Sequence, residues 1–198
     1  FDITELELIV ILAEPLPTYE LCDDDADGFA VFDLSTYDTI VVADPTGLTI
    51  TYHETEIAAS AGTPFINPAN AYTNLSSPQG MFVRVVNDDG CVTIGTFDLV
   101  VLPLPIYITP SIAPLCDYDG VLDEGTEFDL SEVTTITTGD DPAFVVSYHE
   151  SLLEAEAGTP VLPLLYTNTS NPQTIWTRIA DGVTGCFIID TFTLTVLD

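Results

Sequence analysis

The chain has 198 residues, 46% of them hydrophobic and only 17% charged, enough to build one large or two ordinary cores. Its charge is one-sided: 32 acids against two bases, Arg84 and Arg178, give a formal net charge of −30. Such a field repels phosphate backbones and anionic lipid, so the expected partners include no nucleic acid and no membrane surface, and cations are favoured.

No apolar run approaches membrane-spanning length, so no membrane insertion is expected. The chain opens at Phe1 without a charged-then-apolar leader, which reads as a piece of a mature exported protein. Leu6 to Val10 reads as a strand that aligns with Phe97 to Val101 and Phe192 to Val196. Residues 1–12 are therefore either the last strand of a preceding repeat or an ordinary first strand.

A first unit is expected over residues 13–102. Its defining stretch is Cys22-Asp23-Asp24-Asp25-Ala26-Asp27-Gly28, which packs four carboxylates between a cysteine and a glycine. Like charges this close repel in water, whereas oxygen ligands on alternate residues of a turning loop can converge on one hard cation. Asp23, Asp25 and Asp27 have that one-three-five spacing, and Gly28 supplies the sharp turn. Calcium fits an irregular cage better than magnesium does. Leu34 stands at the twelfth position, where an EF-hand needs a glutamate, so this is not an EF-hand. The alternative is a merely solvated acidic turn. Asp33 and Asp129 are candidate extra ligands; each could equally cap the strand or pair with an arginine.

After the loop, Phe29 to Leu34 alternates like a strand, followed by Thr39 to Val42 and a turn at Asp44 to Gly47. Leu48 to His53 is a strand, Glu56 to Gly62 has room for a helical turn, and Pro64 to Pro78 is loop. Met81 to Val86 and Cys91 to Leu102 form a hairpin about Asn87-Asp88-Asp89-Gly90. Pro103-Leu104-Pro105 begins a short stiff linker, residues 103–108.

Residues 109–198 then repeat the first unit with a period of about 95 residues, by the logic of internal repeats. Tyr52-His53-Glu54-Thr55 returns as Tyr148-His149-Glu150-Ser151, and Ala61-Gly62-Thr63-Pro64 as Ala157-Gly158-Thr159-Pro160. Tyr72-Thr73-Asn74 returns as Tyr166-Thr167-Asn168, and Pro78-Gln79 with Arg84 as Pro172-Gln173 with Arg178. The acidic loop returns as Cys116-Asp117-Tyr118-Asp119-Gly120 with Asp123 beyond. Asp117, Asp119 and Asp123 are its candidate ligands, although an insertion and Tyr118 weaken the match. Short alternating strands in units of this length predict an all-β protein of tandem immunoglobulin- or fibronectin-III-like β-sandwiches.

The four cysteines fall as two pairs with separations of 69 and 70 residues. Matching separations predict one bridge per unit, Cys22–Cys91 and Cys116–Cys186, and an oxidising compartment. Four buried free thiols are the alternative. Zinc is not expected, because no two cysteines lie at ligand spacing.

The remaining polar motifs read as scaffold. His53 and His149 lack a nucleophile and an orienting acid, and are expected at strand ends. Arg84 and Arg178 are expected to bridge carboxylates within their own sandwiches. Trp176, alone of its kind, reads as core. Asn74-Leu75-Ser76 and Asn168-Thr169-Ser170 match the glycosylation sequon, a pattern common by chance.

Through Cys-Asp-x-Asp…Phe-Asp-Leu, Tyr-His-Glu-Thr/Ser, Ala-Gly-Thr-Pro, Tyr-Thr-Asn, Pro-Gln…Arg and Gly-Cys, nearly the whole chain resembles repeats of very large surface proteins of Bacteroidetes. Those proteins use the type IX secretion system and are similar to gliding-motility adhesins. The resemblance implies an extracellular location on the bacterial cell surface and tandem sandwiches in a stalk or filament. It also makes Asp38-Thr39-Ile40 look like an O-glycosylation signal. The expectation is a non-enzymatic structural or adhesive repeat, stiffened by Ca2+ and intradomain disulfides. Its partners are neighbouring repeats of the same chain and a surface glycan or protein target. The alternative is a carbohydrate-binding or accessory module of a secreted polysaccharide-degrading protein.

Overall fold

The computed structural model describes residues 15–117 and 125–197. The chain divides into two compact units, Phe1–Pro103 and Leu104–Asp198. The strand expected at residues 6–10, and the origin of residues 1–12, lie outside the described residues.

Unit 1 contains β1 (Tyr19–Cys22), β2 (Val31–Phe32), α1 (Asp38–Val41), β3 (Thr49–His53), α2 (Glu56–Ala61), β4 (Tyr72–Thr73), β5 (Gln79–Val86) and β6 (Val92–Leu102). One sheet has the order β1-β6-β5-β3, and β2 pairs with β4 in a second. Adjacent strands are antiparallel except β1, which runs parallel to β6. The sequence pattern explains β5: Gln79, Met81, Val83 and Val85 point inward, while the residues between them are exposed or half-buried. The inner face meets Phe32, Leu34, Tyr37, Tyr52, Phe97 and Leu99 in one core. Tyr37 stacks on Phe97 with ring centroids 4.5 Å apart, and Tyr52 meets the same ring edge-on.

Two expectations change here. The strand at Phe29 to Leu34 shrinks to Val31–Phe32, and Thr39 to Val42 is mostly helix. The cause is Asp33, whose side chain accepts from the Ser35 N–H and starts a 3-10 turn, Leu34–Tyr37, that runs into α1. The buried residues Leu34, Tyr37 and Val41 then follow a helical spacing rather than an alternating one. Asp129 accepts likewise in unit 2, from the Ser131 N–H at 2.9 Å. Each acid accepts from the N–H two residues on, and Asp33 stands at the N-cap of its turn while Leu130 stands at that of the second unit's helix.

Unit 2 contains β7 (Leu115–Cys116), β8 (Glu127–Asp129), α3 (Ser131–Thr138), β9 (Phe144–His149), α4 (Leu152–Ala157), β10 (Leu165–Thr167), β11 (Gln173–Asp181), β12 (Phe187–Leu194) and β13 (Val196–Leu197). Its pairings repeat unit 1: β12-β11-β9 form a sheet, β7 runs parallel to β13, and β8 pairs with β10. Phe128, Leu130, Val133, Tyr148, Ile175, Phe192 and Leu194 form its core. Two tandem all-β units of immunoglobulin-like layout result. α2 and α4 are short helices between strands, each started by a side-chain cap (Thr55, Ser151) and stopped by a left-handed glycine (Gly62, Gly158).

Candidate functional site

The acidic loop starts where β1 ends. The Asp23 N–H donates to the Leu102 carbonyl at 2.8 Å, so the loop leaves from the last residue of β6. Asp23 is only 5% exposed. Its Oδ1 accepts from the Asp27 N–H at 3.2 Å and its Oδ2 from the Gly28 N–H at 2.8 Å. The loop thus wraps around its own first carboxylate, turning through the left-handed region at Ala26 and Gly28. One carboxylate oxygen each from Asp23, Asp25 and Asp27 converge within 4.8 Å of one another. Three carboxylate oxygens of this kind are the hard donors that calcium takes.

The electrostatics divide the three acids. Burial alone would raise the Asp23 carboxyl, but backbone N–H donors from Gly28, Asp25, Ala26 and Asp27 hold it below its ordinary value. Asp25 is pushed up, first by desolvation and then by the charges of Asp27 and Asp24. A divalent ion at the centre would relieve that repulsion. In unit 2 the Asp117 N–H donates to the Leu197 carbonyl at 3.1 Å, repeating the geometry of Asp23. Asp119 and Asp123 lie outside the described residues.

Asn74 closes the loop, a role the sequon pattern hid. Its Oδ1 accepts from the Ala30 N–H at 2.7 Å, and its Nδ2 donates to the carbonyls of Gly28 and Ser76. Asn168 repeats this, accepting from the Thr126 N–H at 2.7 Å and donating to the Ser170 carbonyl. At 1% and 7% exposure, these asparagines are clamps that offer no folded-state access for glycosylation. The signal was available: each asparagine follows the same Tyr-Thr in both repeats.

The other repeated motifs converge on a second network. Gln79 accepts from the Leu75 N–H at 2.6 Å and donates to the Tyr72 hydroxyl, which donates on to Glu54. Gln173, Tyr166 and Glu150 form the same relay. His53 is fully buried. Its Nδ1 lies 2.7 Å from the Pro64 carbonyl and its Nε2 lies 2.9 Å from the Thr51 hydroxyl. A carbonyl can only accept, so Nδ1 donates to it. His149 has the same two partners in Pro160 and Ser147. Both ring nitrogens are thereby engaged within the scaffold.

The arginines differ from expectation. Among the described residues neither pairs with a carboxylate; Arg84 Nε and Arg178 Nη1 are buried without a hydrogen-bond partner. Each guanidinium lies under a helix-ending glycine instead, 3.4 Å from a methyl built on Gly62 and 3.5 Å from one built on Gly158. Arg178 also stacks on Phe187, 3.4 Å from the ring centroid. The acids cluster at loops, so the strand interior offers the arginine an aromatic face and a helix C-terminus rather than a carboxylate. Trp176 is half-buried on the same outer face, in register with His149.

The cysteines also pair differently. Cys22 and Cys186 are disulfide-bonded, while Cys91 and Cys116 are free and exposed. Neither Cys22–Cys91 nor Cys116–Cys186 forms, for a geometric reason. Cys22 is in register with Leu102, the last residue of β6, whereas Cys91 directly precedes that strand. Eleven residues of extended chain separate the two positions by roughly 35 Å, against a Cα separation of about 6 Å in a disulfide. In unit 2 Cys116 is in register with Leu197, eleven residues beyond Cys186. The equal separations in sequence measure the repeat and not a bond.

A family model described as "Flavobacterium inter-domain disulphide bond domain" matches residues 18–105 and again 113–198. The chain belongs to this family. It contains two copies of this inter-domain disulphide domain in tandem. No curated protein matches the chain. Among solved structures, it is similar to domains EC1-2 of human mucin-like protocadherin at 14% identity and a TM-score of 0.28, covering 77% of this chain and 85% of that one. It is similar to Sidekick-1 immunoglobulin domains 1-5 at 8% identity and a TM-score of 0.30, covering 94% of this chain and 38% of that one. It is also similar to titin domains z1z2 in complex with telethonin, at 11% identity and a TM-score of 0.24, covering 94% and 95%. The layout given above rests on strand order and pairing rather than on these likenesses. No helix among the described residues is long and apolar enough to cross a membrane.

Proposed function

We propose that this pair of inter-domain disulphide domains is a structural repeat segment of a long extracellular, cell-surface adhesin or filament. One observation carries the reading: the repeat-matched polar residues of each unit are spent on that unit's own scaffold. His53, Glu54, Tyr72, Asn74 and Gln79 all bond within unit 1, as their counterparts do within unit 2. Residues used in this way hold a module's shape, and a non-enzymatic role follows. Surface attachment, type IX export and gliding-type adhesion come from the sequence resemblance, and a surface glycan or protein remains the proposed target.

Two devices would stiffen the array. The family's name and the oxidation of Cys22 and Cys186 support a bridge that ties one module to the next. The Asp23, Asp25 and Asp27 cluster supports a bound Ca2+ beside that bridge. Asp117, Asp119 and Asp123 are proposed as the equivalent second site. Thermal unfolding with calcium and with chelator tests the metal. Calcium at a hundred times its Kd stabilises by about 2.7 kcal/mol. A midpoint that chelation leaves unmoved, in wild type and in an Asp25→Asn variant alike, removes the ion from this account.

The second reading, a carbohydrate-binding module, is favoured by one feature. A groove of about 470 Å³ lies beside α2, with Ile57, Phe65 and Tyr72 among its walls. Binding of the isolated pair on a glycan array would select it.

A further inference from the structure

The groove beside α2 combines apolar walls with an acidic rim. Ile57 is 83% exposed and Phe65 is 49% exposed, and both line it together with Ala58 and Pro68. Scattered apolar residues are ordinary on a surface, but apolar walls gathered around one groove mark a contact site. Unit 2 keeps the same residues in water. The Ile66 N–H donates to the Tyr52 carbonyl and the Leu162 N–H to the Tyr148 carbonyl, both at 2.9 Å, so Phe65 and Val161 hold matched places. Leu153, at the place of Ile57, is 75% exposed, and Val161 is 55% exposed. The side chains differ between the units, while their apolar character and exposure are retained.

The polar side chains of the groove are largely engaged. The Tyr72 hydroxyl is held by Gln79 and Glu54, both His53 ring nitrogens have partners, and Thr55 caps α2. A ligand rich in hydroxyls would lose water here without replacement hydrogen bonds. Glu54 is different. Its Oε1 accepts from the Tyr72 hydroxyl at 3.1 Å, and its Oε2 has no partner among the described residues.

We infer that this groove binds an apolar, basic segment of a partner protein. Leucine- or phenylalanine-like side chains lie against Ile57 and Phe65, and a flanking lysine or arginine meets the Glu54 carboxylate. Charge selects this occupant. A second copy of the chain has 32 acids and two bases, so it would bring like charge to the rim. A basic segment is drawn in by the net charge of −30 and then fixed by its apolar side chains. The inference rests on the adhesive reading and supplies the chemistry of its protein target.

The test titrates the isotope-labelled 198-residue chain with the peptide Lys-Leu-Lys-Leu-Lys-Leu-Lys and with a control that has serine for each leucine. Amide shifts of Phe65 and Ile66 in the nuclear magnetic resonance spectrum report on this groove alone. The leucine peptide should move them and bind roughly tenfold more tightly than the serine peptide. Ile57→Ser and Glu54→Gln should each weaken it by about the same factor. Ile57 is mostly in water, and glutamine can still accept from Tyr72, so both variants should keep the wild-type spectrum elsewhere. Equal binding of the two peptides would mean attraction to net charge only and would overturn the inference. Unaltered binding by a doubly substituted Ile57→Ser, Phe65→Ser chain would do so too. Cellohexaose moving these amides where the leucine peptide does not would overturn the adhesive reading as well, in favour of the carbohydrate module. Neither ligand moving them would overturn the groove's role alone and leave the structural repeat standing.

Discussion

Thr177 occupies the place in unit 2 that Val83 holds in unit 1, and both are fully buried. Its hydroxyl has no hydrogen-bond partner, so the second core contains a polar atom that the first replaces with a methyl group. An unpaired buried hydroxyl costs more than an apolar group of the same shape. Thr177→Val should therefore stabilise unit 2 by about 1 kcal/mol, read as a shift in its denaturant midpoint. A loss of stability instead would mean that the hydroxyl is paired in solution. At this scale the sequence showed which polar residues recur, but not what they touch. His53 and Gln79 were visible as repeated letters. Their partners, the Pro64 carbonyl and the Tyr72 hydroxyl, depend on how the chain returns across the sheet.

The acidic loop and its clamp act together as one element. Asp23 gathers the loop's backbone N–H groups, and Asn74 fastens the exit through Gly28 and Ala30. Removing the Asn74 side chain leaves buried backbone groups without partners. Asn74→Ala should lower unfolding free energy by about 2–3 kcal/mol and weaken calcium binding, measured by chemical denaturation and by calorimetric titration. A loss confined to stability would separate the clamp from the metal site. The spacing of the loop was legible because one-three-five carboxylates with a glycine form a local pattern. The clamp was not, since Asn74 lies more than forty residues away and matched a sequon.

Over the whole molecule, acidity sets the pH response. Asp23 has a depressed folded pKa, so its stabilising share is present above the ordinary value of 3.8 and is lost as pH falls through the lower folded value. Asp25 has a raised one, so its ionised form works against the fold, and protonation relieves that strain first. In chelator, the melting midpoint should rise as pH drops through the raised Asp25 value toward 3.8, then fall below 3.8. In calcium it should fall over the same upper range, because protons compete for Asp25. Superimposable curves with and without calcium would contradict this division of roles.

The sequence alone determined the two-unit architecture, the all-β character and the acidic loop, because alternation, turn residues and repeat spacing are local and were each written twice. It read a strand through Leu34 and carboxylate partners for Arg84 and Arg178, and packing decided otherwise in both. The cysteines show the division most plainly. Their spacing gave the repeat length, but only the run of β6 from beside Cys91 to the partner of Cys22 showed that the two thiols stand at opposite ends of a strand too long for any disulfide to span.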